Sequence, residues 1–218
     1  MSDTYEKTKK TRVRRAQQRG TYDRKTVHEI IDAALLCHVG YVIDGQPYVT
    51  PTIQWRQGTR LYWHGSSASQ ALRAQKTGIP VCVTISHLDG LVLARSGFHH
   101  SVNYRSVMAF GTAEAVEGRA AKEKHLDIFM ERIAAGRKDE VRPNLEKEIK
   151  GTTVLGMDLN EVVAKVRSGP PVDDEEDYDL DVWAGVLPIQ QTLGAPIPDP
   201  RLKKGIRAPR YLKTFKIG

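Results

Sequence analysis

Tight-turn dipeptides separate a series of short apolar segments, and this alternation most constrains what the chain can fold into. Asp44-Gly45, Gln57-Gly58 and Asp89-Gly90 each follow such a segment. These dipeptides close hairpins readily because glycine adopts positive φ at little steric cost. Short strands joined by tight turns are typical of an antiparallel barrel or sandwich. We predict strands at 38–43, 48–55, 61–64, 79–86, 91–95, 102–117, 152–158, 161–167 and 182–189.

Two segments instead have helical periodicity, which makes the predicted fold α+β rather than all-β. Asp23 is a candidate cap for a helix whose apolar residues recur at i, i+3, i+4, i+7 and i+8. A second amphipathic helix is predicted over 119–135, with Gly136 ending it. We also predict shorter helices after the serine cluster at 66–69 and over 143–150. The apolar positions are Val27, Ile30, Ile31, Ala34 and Leu35 in the first helix, and Leu126, Phe129, Met130 and Ile133 in the second.

With 218 residues, 40% of them hydrophobic, the chain has the size of one domain with tails. We predict a basic, mobile arm over 1–20, a domain over 21–195 and a Pro-rich, basic tail over 196–218. No run of about 18 apolar residues is present, and the first residues lack an apolar signal region, so we expect neither a membrane span nor secretion. Cys37 and Cys82 lack a CxxC pattern and are interpreted as reduced thiols of a cytoplasmic protein, a disulfide between them being the alternative.

The net charge of +7 is distributed unevenly. Residues 7–25 and 201–216 are basic, whereas 173–181 (DDEEDYDLD) is an acidic block. Basic tails suit an anionic partner or a solvated periphery. Aromatic residues, which would stack on bases, are sparse in both tails, so we do not expect nucleic acid as a partner.

A candidate anion site lies in the stretch from Arg60 to Arg73, RLYWHGSSASQALR. A short aromatic strand leads into His64-Gly65, a serine cluster and a helix-like segment. Hydroxyl groups and free N–H groups at a helix start bind anions such as phosphate. The alternative is an ordinary strand-to-helix turn in which Ser67 or Ser69 caps the helix and no ligand is bound.

Pro51 lies inside an otherwise regular predicted strand. Proline cannot donate a ladder hydrogen bond, so it marks an edge, a bulge or a place where a ligand meets the backbone. Thr50 and Thr52 flank it, and a planar ligand along this strand would explain an open backbone face. An edge strand with nothing bound is the alternative.

A second polar stretch, 96–106 (SGFHHSVNYRS), brings His99, His100 and Arg105 close together along the chain. Adjacent histidines cannot chelate one ion in the usual i, i+4 manner. A metal site would need a third ligand such as His64 or His87, so we predict a polar pocket or subunit contact and no metal site. The alternative is a solvent-exposed loop without a function. The acidic block lacks EF-hand spacing and is interpreted as a solvated loop.

The order of these pieces resembles a known family. A basic arm and a helix precede HVGYVIDGQPYVTPTIQW, LYWHGSS, a helix, PVCVTI, a polar loop and YRSVMAFGTAE. This order is similar to the pyridoxamine 5′-phosphate oxidase-like, FMN-binding split-barrel family, in particular its flavin-nucleotide-binding and nitroimidazole-resistance-type branch. The resemblance covers roughly residues 12–200. It implies an antiparallel split β-barrel and a homodimer with two FMN sites at the subunit interface.

The resemblance also implies which residues bind the flavin. The strand holding Pro51 would run beside the isoalloxazine ring, and the turn after His64 would receive the phosphate. The YRSV segment and the late Trp-x-Gly-x-x-Pro run would lie near the flavin or the interface. The implied cofactor-binding residues are Thr50, Pro51, Thr52, His64, Gly65, Ser66, Ser67, Ser69, Gln70, Arg73, Arg105, Ser106 and Trp183.

One position departs from the family pattern and bears on function. Relatives often carry Arg-Lys after the HG turn, whereas this chain has Gln70-Ala71, and Arg73 lies one helical turn further on.

We predict a flavin-dependent oxidoreductase acting on a small molecule, with His64 and His99 as candidate proton-transfer residues. The alternative is a carrier or sensor that binds flavin or another planar ligand, such as a tetrapyrrole, without catalysis.

Overall fold

The computed structural model describes residues 3–213 and 215, which form ten strands, four α-helices and four short 3-10 helices. The α-helices are α1 (Arg24–Ala33), α2 (Gln70–Lys76), α3 (Arg119–Ile133) and α4 (Glu146–Lys150). The strands are β1 (Gly20–Thr21), β2 (Leu36–Ile43), β3 (Gln46–Gln57), β4 (Arg60–Ser66), β5 (Pro80–Leu93), β6 (Ser101–Thr112), β7 (Glu114–Ala115), β8 (Thr152–Asp158), β9 (Glu161–Arg167) and β10 (Gly185–Pro188).

All the strands join one antiparallel sheet in the order β1-β9-β6-β5-β2-β3-β4-β8-β7, with β10 added to β5. The sheet has two ends, at β1 and β7, so it curls without closing. The predicted α+β class with an antiparallel split β-barrel is therefore confirmed. Within the part of the chain that the structure describes, none of the helices has the length and apolar character needed to cross a membrane.

The inner face of the curled sheet carries the core. On β2, Cys37, Val39 and Tyr41 are buried, as strict alternation requires. Val27, Ile30 and Ile31 of α1 pack against the same core. Asp23 caps that helix as predicted, because its Oδ2 accepts a hydrogen bond of 2.7 Å from the backbone N–H of Thr26. Cys37 and Cys82 are both free thiols.

The longest helix covers a smaller second cluster. Leu126, Ile128 and Phe129 of α3 pack against Trp55 and Tyr62 on the outer side of β3 and β4. His125 of the same helix also faces the sheet. Its ring centroid lies 4.2 Å from that of Tyr62. The apolar stripe of α3 is thus wider than the i, i+3, i+4 pattern indicates.

The Asp89-Gly90 pair does not form a hairpin turn. β5 runs unbroken from Pro80 to Leu93, and its register against β6 shifts between Leu88 and Gly90, which makes Asp89 the extra residue of a bulge. A Cβ on Gly90 would lie 3.0 Å from Val186 Cγ1 of β10. Gly90 therefore allows the close approach of β10. The turn predicted at Asp89-Gly90 is wrong.

Both ends of the described chain contact the domain. Tyr5 is 4% exposed, and its hydroxyl lies 2.8 Å from His28 Nε2, contacts that the prediction of a mobile arm does not anticipate. In the predicted tail, Tyr211 donates a hydrogen bond of 2.6 Å to Glu140, the last residue of a short 3-10 helix (Arg137–Glu140) that follows α3. Residues 214 and 216–218 of that tail lie outside the described residues.

Candidate functional site

A cleft opens where β3 and β4 separate. Residues 54–57 of β3 pair with β4, whereas 46–53 pair with β2 alone. Pro51 lies in this singly paired part and is exposed, which agrees with the edge position predicted for it. We call the resulting space of about 120 Å³ the strand cleft. Its lining residues are Val39, Thr50, Pro51, Thr52, Trp63, His64, Gly65, Ser66, Ser69, Ala71, Leu72 and Gln75.

Buried hydrogen bonds fix both walls of the strand cleft. Gln54, where the two strands begin to part, donates from Nε2 to the carbonyl oxygens of Ile31 and Ala34 at 2.8 and 2.7 Å. On the other wall, the indole N–H of Trp63 donates to Gln75 Oε1 at 2.9 Å and holds α2 against β4. The cleft is therefore a preformed feature of the fold.

The serine cluster forms the end of the strand cleft. Ser69 is the N-cap of α2, since its hydroxyl oxygen accepts a hydrogen bond from the Leu72 N–H at 3.5 Å. Ser66 Oγ accepts one from the Ala68 N–H at 3.2 Å. The first N–H groups of a helix lack intrahelical acceptors, so this end of the cleft presents donors and hydroxyl groups. Such a set is chemically suited to an anionic oxygen.

A larger cavity of about 460 Å³ lies on the other side of His64, and we call it the helix cavity. Leu126, Phe129 and Met130 of α3 form one wall, and Val141 and Pro143 of the following loop form another. At its rim Lys138 is paired with Asp127 and Arg142 with Glu148. The cavity combines apolar walls with a charged rim, the composition of a site for an amphipathic ligand.

His64 borders both spaces. Its ring centroid lies 4.2 Å from that of Phe129 and 5.8 Å from that of Trp55. Its Nδ1 atom is buried and has no hydrogen-bond partner among the described residues. Burial lowers the pKa of His64, so the imidazole is neutral at neutral pH. A neutral ring with an unused nitrogen can accept a proton, donate one or bind a metal ion.

The structure brings seven of the predicted binding residues together around the strand cleft. They are Thr50, Pro51, Thr52, His64, Gly65, Ser66 and Ser69. Ser67 and Gln70 are exposed beside it. Arg73 is also exposed and does not line the cleft, so the structure does not show it replacing the missing basic pair.

Four other predicted residues lie away from the strand cleft of their own chain. Arg105 forms a two-pronged ion pair with Asp89, with distances of 3.0 and 2.9 Å. Ser106 donates a hydrogen bond to the Lys165 carbonyl at 3.2 Å. Trp183 is 68% exposed. His99 lies beside Asp174 in a separate loop, so the two candidate proton-transfer histidines belong to different regions.

The helix cavity has no counterpart among the features predicted from the sequence. The face of α3 that forms its wall was recognised from its spacing, but spacing does not reveal that a helix stands off from the sheet. The cationic residues at the rim, Lys138 and Arg142, had no distinguishing signal in a charged segment. Gln75, which positions α2, is separated from Trp63 by 12 residues, and no sequence rule pairs them.

The family model described as pyridoxamine 5′-phosphate oxidase matches residues 23–166. Among solved structures, the flavocytochrome Anf3 from Azotobacter vinelandii is 43% identical, with a TM-score of 0.93 over 97% of this chain and 98% of that one. An FAD and heme binding protein from Mycobacterium smegmatis is 34% identical, with a TM-score of 0.86 over 90% of this chain and 96% of that one.

A third solved structure supports the fold alone. It is a proposed 5-nitroimidazole antibiotic resistance protein from Bacteroides thetaiotaomicron, 24% identical, with a TM-score of 0.56 over 67% of this chain and 86% of that one. The search of curated proteins finds no match.

Proposed function

Since the chain belongs to the pyridoxamine 5′-phosphate oxidase family, we propose that it is a flavin-binding redox protein whose flavin lies along β3 in the strand cleft. The observation that carries the proposal is the singly paired edge at Pro51, which opens beside the hydroxyl groups of Ser66 and Ser69. A planar ring would lie on the open strand, and its phosphate would lie at the start of α2. Two solved relatives above 30% identity are a flavocytochrome and an FAD and heme binding protein.

FMN and FAD, the two candidate flavins, share the isoalloxazine ring and at least one phosphate. The sequence resemblance favours FMN, whereas the Mycobacterium smegmatis relative is an FAD and heme binding protein. Mass spectrometry of the ligand released from purified protein separates the two, because FAD carries an additional adenosine monophosphate unit. Colourless protein that takes up neither added FMN nor added FAD would overturn the proposal.

A second subunit would complete the flavin site. The strand cleft of about 120 Å³ is smaller than the roughly 300–1,000 Å³ of typical ligand pockets. The outer face of β2, β3 and β6 exposes apolar side chains, among them Val49 (68% exposed), Val42 (52%) and Met108 (41%). Exposed apolar patches of this kind mark association surfaces. The proposed assembly is a homodimer, which light scattering after size exclusion tests directly.

Within this proposal the flavin supplies the electron chemistry, and the protein binds and orients it. His64 is the group best placed for proton transfer, because its neutral imidazole borders the strand cleft. The substrate would be a small molecule that reaches the exposed side of the ring. Bleaching of the flavin absorbance by NADH or NADPH without oxygen would support a reductase. A flavin that neither nucleotide nor a reduced ferredoxin-type donor bleaches would favour a carrier.

Heme binding is a second candidate function, and the helix cavity is the observation that favours it. Its volume of about 460 Å³ lies within the range of ligand pockets. The unused Nδ1 of His64 belongs to an imidazole, the group that most often ligates heme iron. In this arrangement His64 would contribute to heme binding rather than to proton transfer.

Reconstitution with hemin distinguishes the two roles of His64. If it ligates iron, His64→Ala abolishes or shifts the Soret band, whereas the control His100→Ala, an exposed histidine, leaves the band unchanged. If His64 serves the flavin, His64→Ala changes the flavin spectrum or the pH profile of reduction and leaves hemin uptake unaltered. A wild-type protein that gives no Soret band with hemin would rule out the heme role.

A further inference from the structure

Two motifs that the sequence analysis set aside separately meet in the structure. The histidine loop at 96–100 lies against the acidic block at 173–181. Arg95 joins them, with its backbone N–H 3.0 Å from Asp173 Oδ1 and its Nη1 3.2 Å from Asp173 Oδ2. The Arg95 guanidinium also lies 4.7 Å from the ring centre of Tyr178. Because the Asp173 side chain is fully buried, these contacts fix the position of the residues that follow it.

This arrangement places three metal-ligating side chains at one point. One ligand atom each from His99, Asp174 and Asp177 lies within 4.8 Å of the other two. We propose that His99, Asp174 and Asp177 form a binding site for a divalent transition-metal ion such as Zn²⁺, independent of the strand cleft and the helix cavity.

The distance between the first two ligands fits a coordinated ion. His99 Nε2 lies 3.2 Å from Asp174 Oδ2. Two ligands at about 2.0–2.1 Å from a tetrahedral zinc ion are separated by about 3.3 Å. An ion can therefore replace the present hydrogen bond with little movement of either side chain. Asp177, one helical turn after Asp174, supplies the third ligand, and water completes the shell because Asp174 is exposed.

The local charge favours a cation at this point. The block carries seven carboxylates between residues 173 and 181. Among the described residues, only two of them have a basic partner: Asp173 pairs with Arg95, and Asp174 Oδ2 lies 3.2 Å from His99 Nε2. A divalent ion would offset the repulsion between the remaining carboxylates. An imidazole in the ligand set favours Zn²⁺ over Ca²⁺ or Mg²⁺, which prefer oxygen ligands only.

The site is tested by titrating full-length protein, stripped with a chelator, with Zn²⁺ in a calorimeter. We expect one Zn²⁺ per chain. Outer-shell partners of metal sites are worth about 10- to 100-fold in affinity, so removing a ligand should weaken binding by at least about 10-fold. His99→Ala, Asp174→Asn and Asp177→Asn should each show this loss. The control Asp179→Asn removes the same charge from the same acidic block without touching the ligand set.

A second measurement tests location. Zn²⁺ should slow hydrogen exchange in 96–100 and 173–178 in the wild type but not in Asp177→Asn. Equal loss of affinity in Asp179→Asn and Asp177→Asn would show nonspecific attraction to the acidic block and overturn the proposal. Unchanged affinity in His99→Ala, or Zn²⁺ binding no tighter than Ca²⁺ binding, would overturn it as well. Retention of the wild-type circular dichroism spectrum would show that each variant is folded.

Discussion

The indole N–H of Trp63 donates a hydrogen bond of 2.9 Å to Gln75 Oε1, and both side chains are about 1% exposed or less. This contact joins β4, which carries His64, to α2, which begins at the serine cluster. Trp63 and Gln75 therefore set the width of the strand cleft without offering a charge or a nucleophile to it.

Replacing Gln75 by leucine should destabilise the protein by about 1–3 kcal/mol, because the buried indole N–H loses its acceptor. Urea unfolding measures the change in the free energy of unfolding. Gln70→Leu, at an exposed position of the same helix, is the control and should change stability by less than about 0.5 kcal/mol. Equal effects of the two substitutions would contradict the structural role of Gln75.

Gly90→Ala should destabilise the pairing of β10 with β5. The added Cβ would lie 3.0 Å from Val186 Cγ1 and 3.1 Å from the Leu187 carbonyl oxygen, and the latter is backbone that cannot rotate away. Crowding of this kind costs about 1–3 kcal/mol. Hydrogen exchange at the amides of residues 185–187 should become faster, since Pro188 has no amide proton. Gly97→Ala, where an added Cβ has nothing within 4 Å, should leave exchange at those residues unchanged.

Stability should fall as the pH is lowered from about 7 towards 5. Burial is the main factor that lowers the pKa values of His28, His64 and His125 in the folded protein. Below the ordinary histidine pKa of about 6.5 the unfolded chain therefore binds more protons than the folded one. The loss of stability begins near that pH and ends at the lower pH where the folded protein also binds these protons.

Urea midpoints measured across this pH range test the effect. Each histidine contributes at most about 1.4 kcal/mol per pH unit. His64→Gln should reduce the slope of stability against pH relative to the wild type. A stability that rises as the pH falls would contradict the sign predicted here.

Arg105 offers a test of the flavin contacts that the family resemblance implies. Its ion pair with Asp89 is partly exposed, so a double-mutant cycle with Arg105→Gln and Asp89→Asn should give a coupling of about 0.2–1 kcal/mol. If Arg105 also contacts flavin in a dimer, Arg105→Gln raises the flavin dissociation constant and Asp89→Asn does not. Equal effects on the dissociation constant would assign Arg105 to the ion pair alone.

Local signals explain why much of the fold was predictable. Asp44 and Gly45 both have positive φ in the first hairpin, as the sequence of that turn requires. Asp23 caps α1, and Pro51 lies on an unpaired edge of β3, as predicted. The prediction of a hairpin turn at Asp89-Gly90 was wrong because the same dipeptide also suits a bulge. Whether a turn or a bulge forms depends on β10, about 95 residues later in the chain.

For a related reason, only the strand cleft of the candidate site could be predicted from the sequence. Residues of the strand cleft are consecutive on β3 and β4, so sequence motifs capture them. The helix cavity depends on the distance between α3 and the sheet, and the His99 cluster depends on a contact across 75 residues. Neither the spacing between α3 and the sheet nor this long-range contact can be predicted from local periodicity.

The singly paired stretch of β3 has a consequence for the free subunit. Pro47 and Pro51 both lie in it, four residues apart, so their nitrogens point to the same edge of the strand. A bare strand edge invites pairing with the strands of other molecules and leads to aggregation. Two prolines remove the donors that such pairing needs. While the chain awaits a ligand or a partner, the edge that keeps the cleft open also resists growth into fibrils.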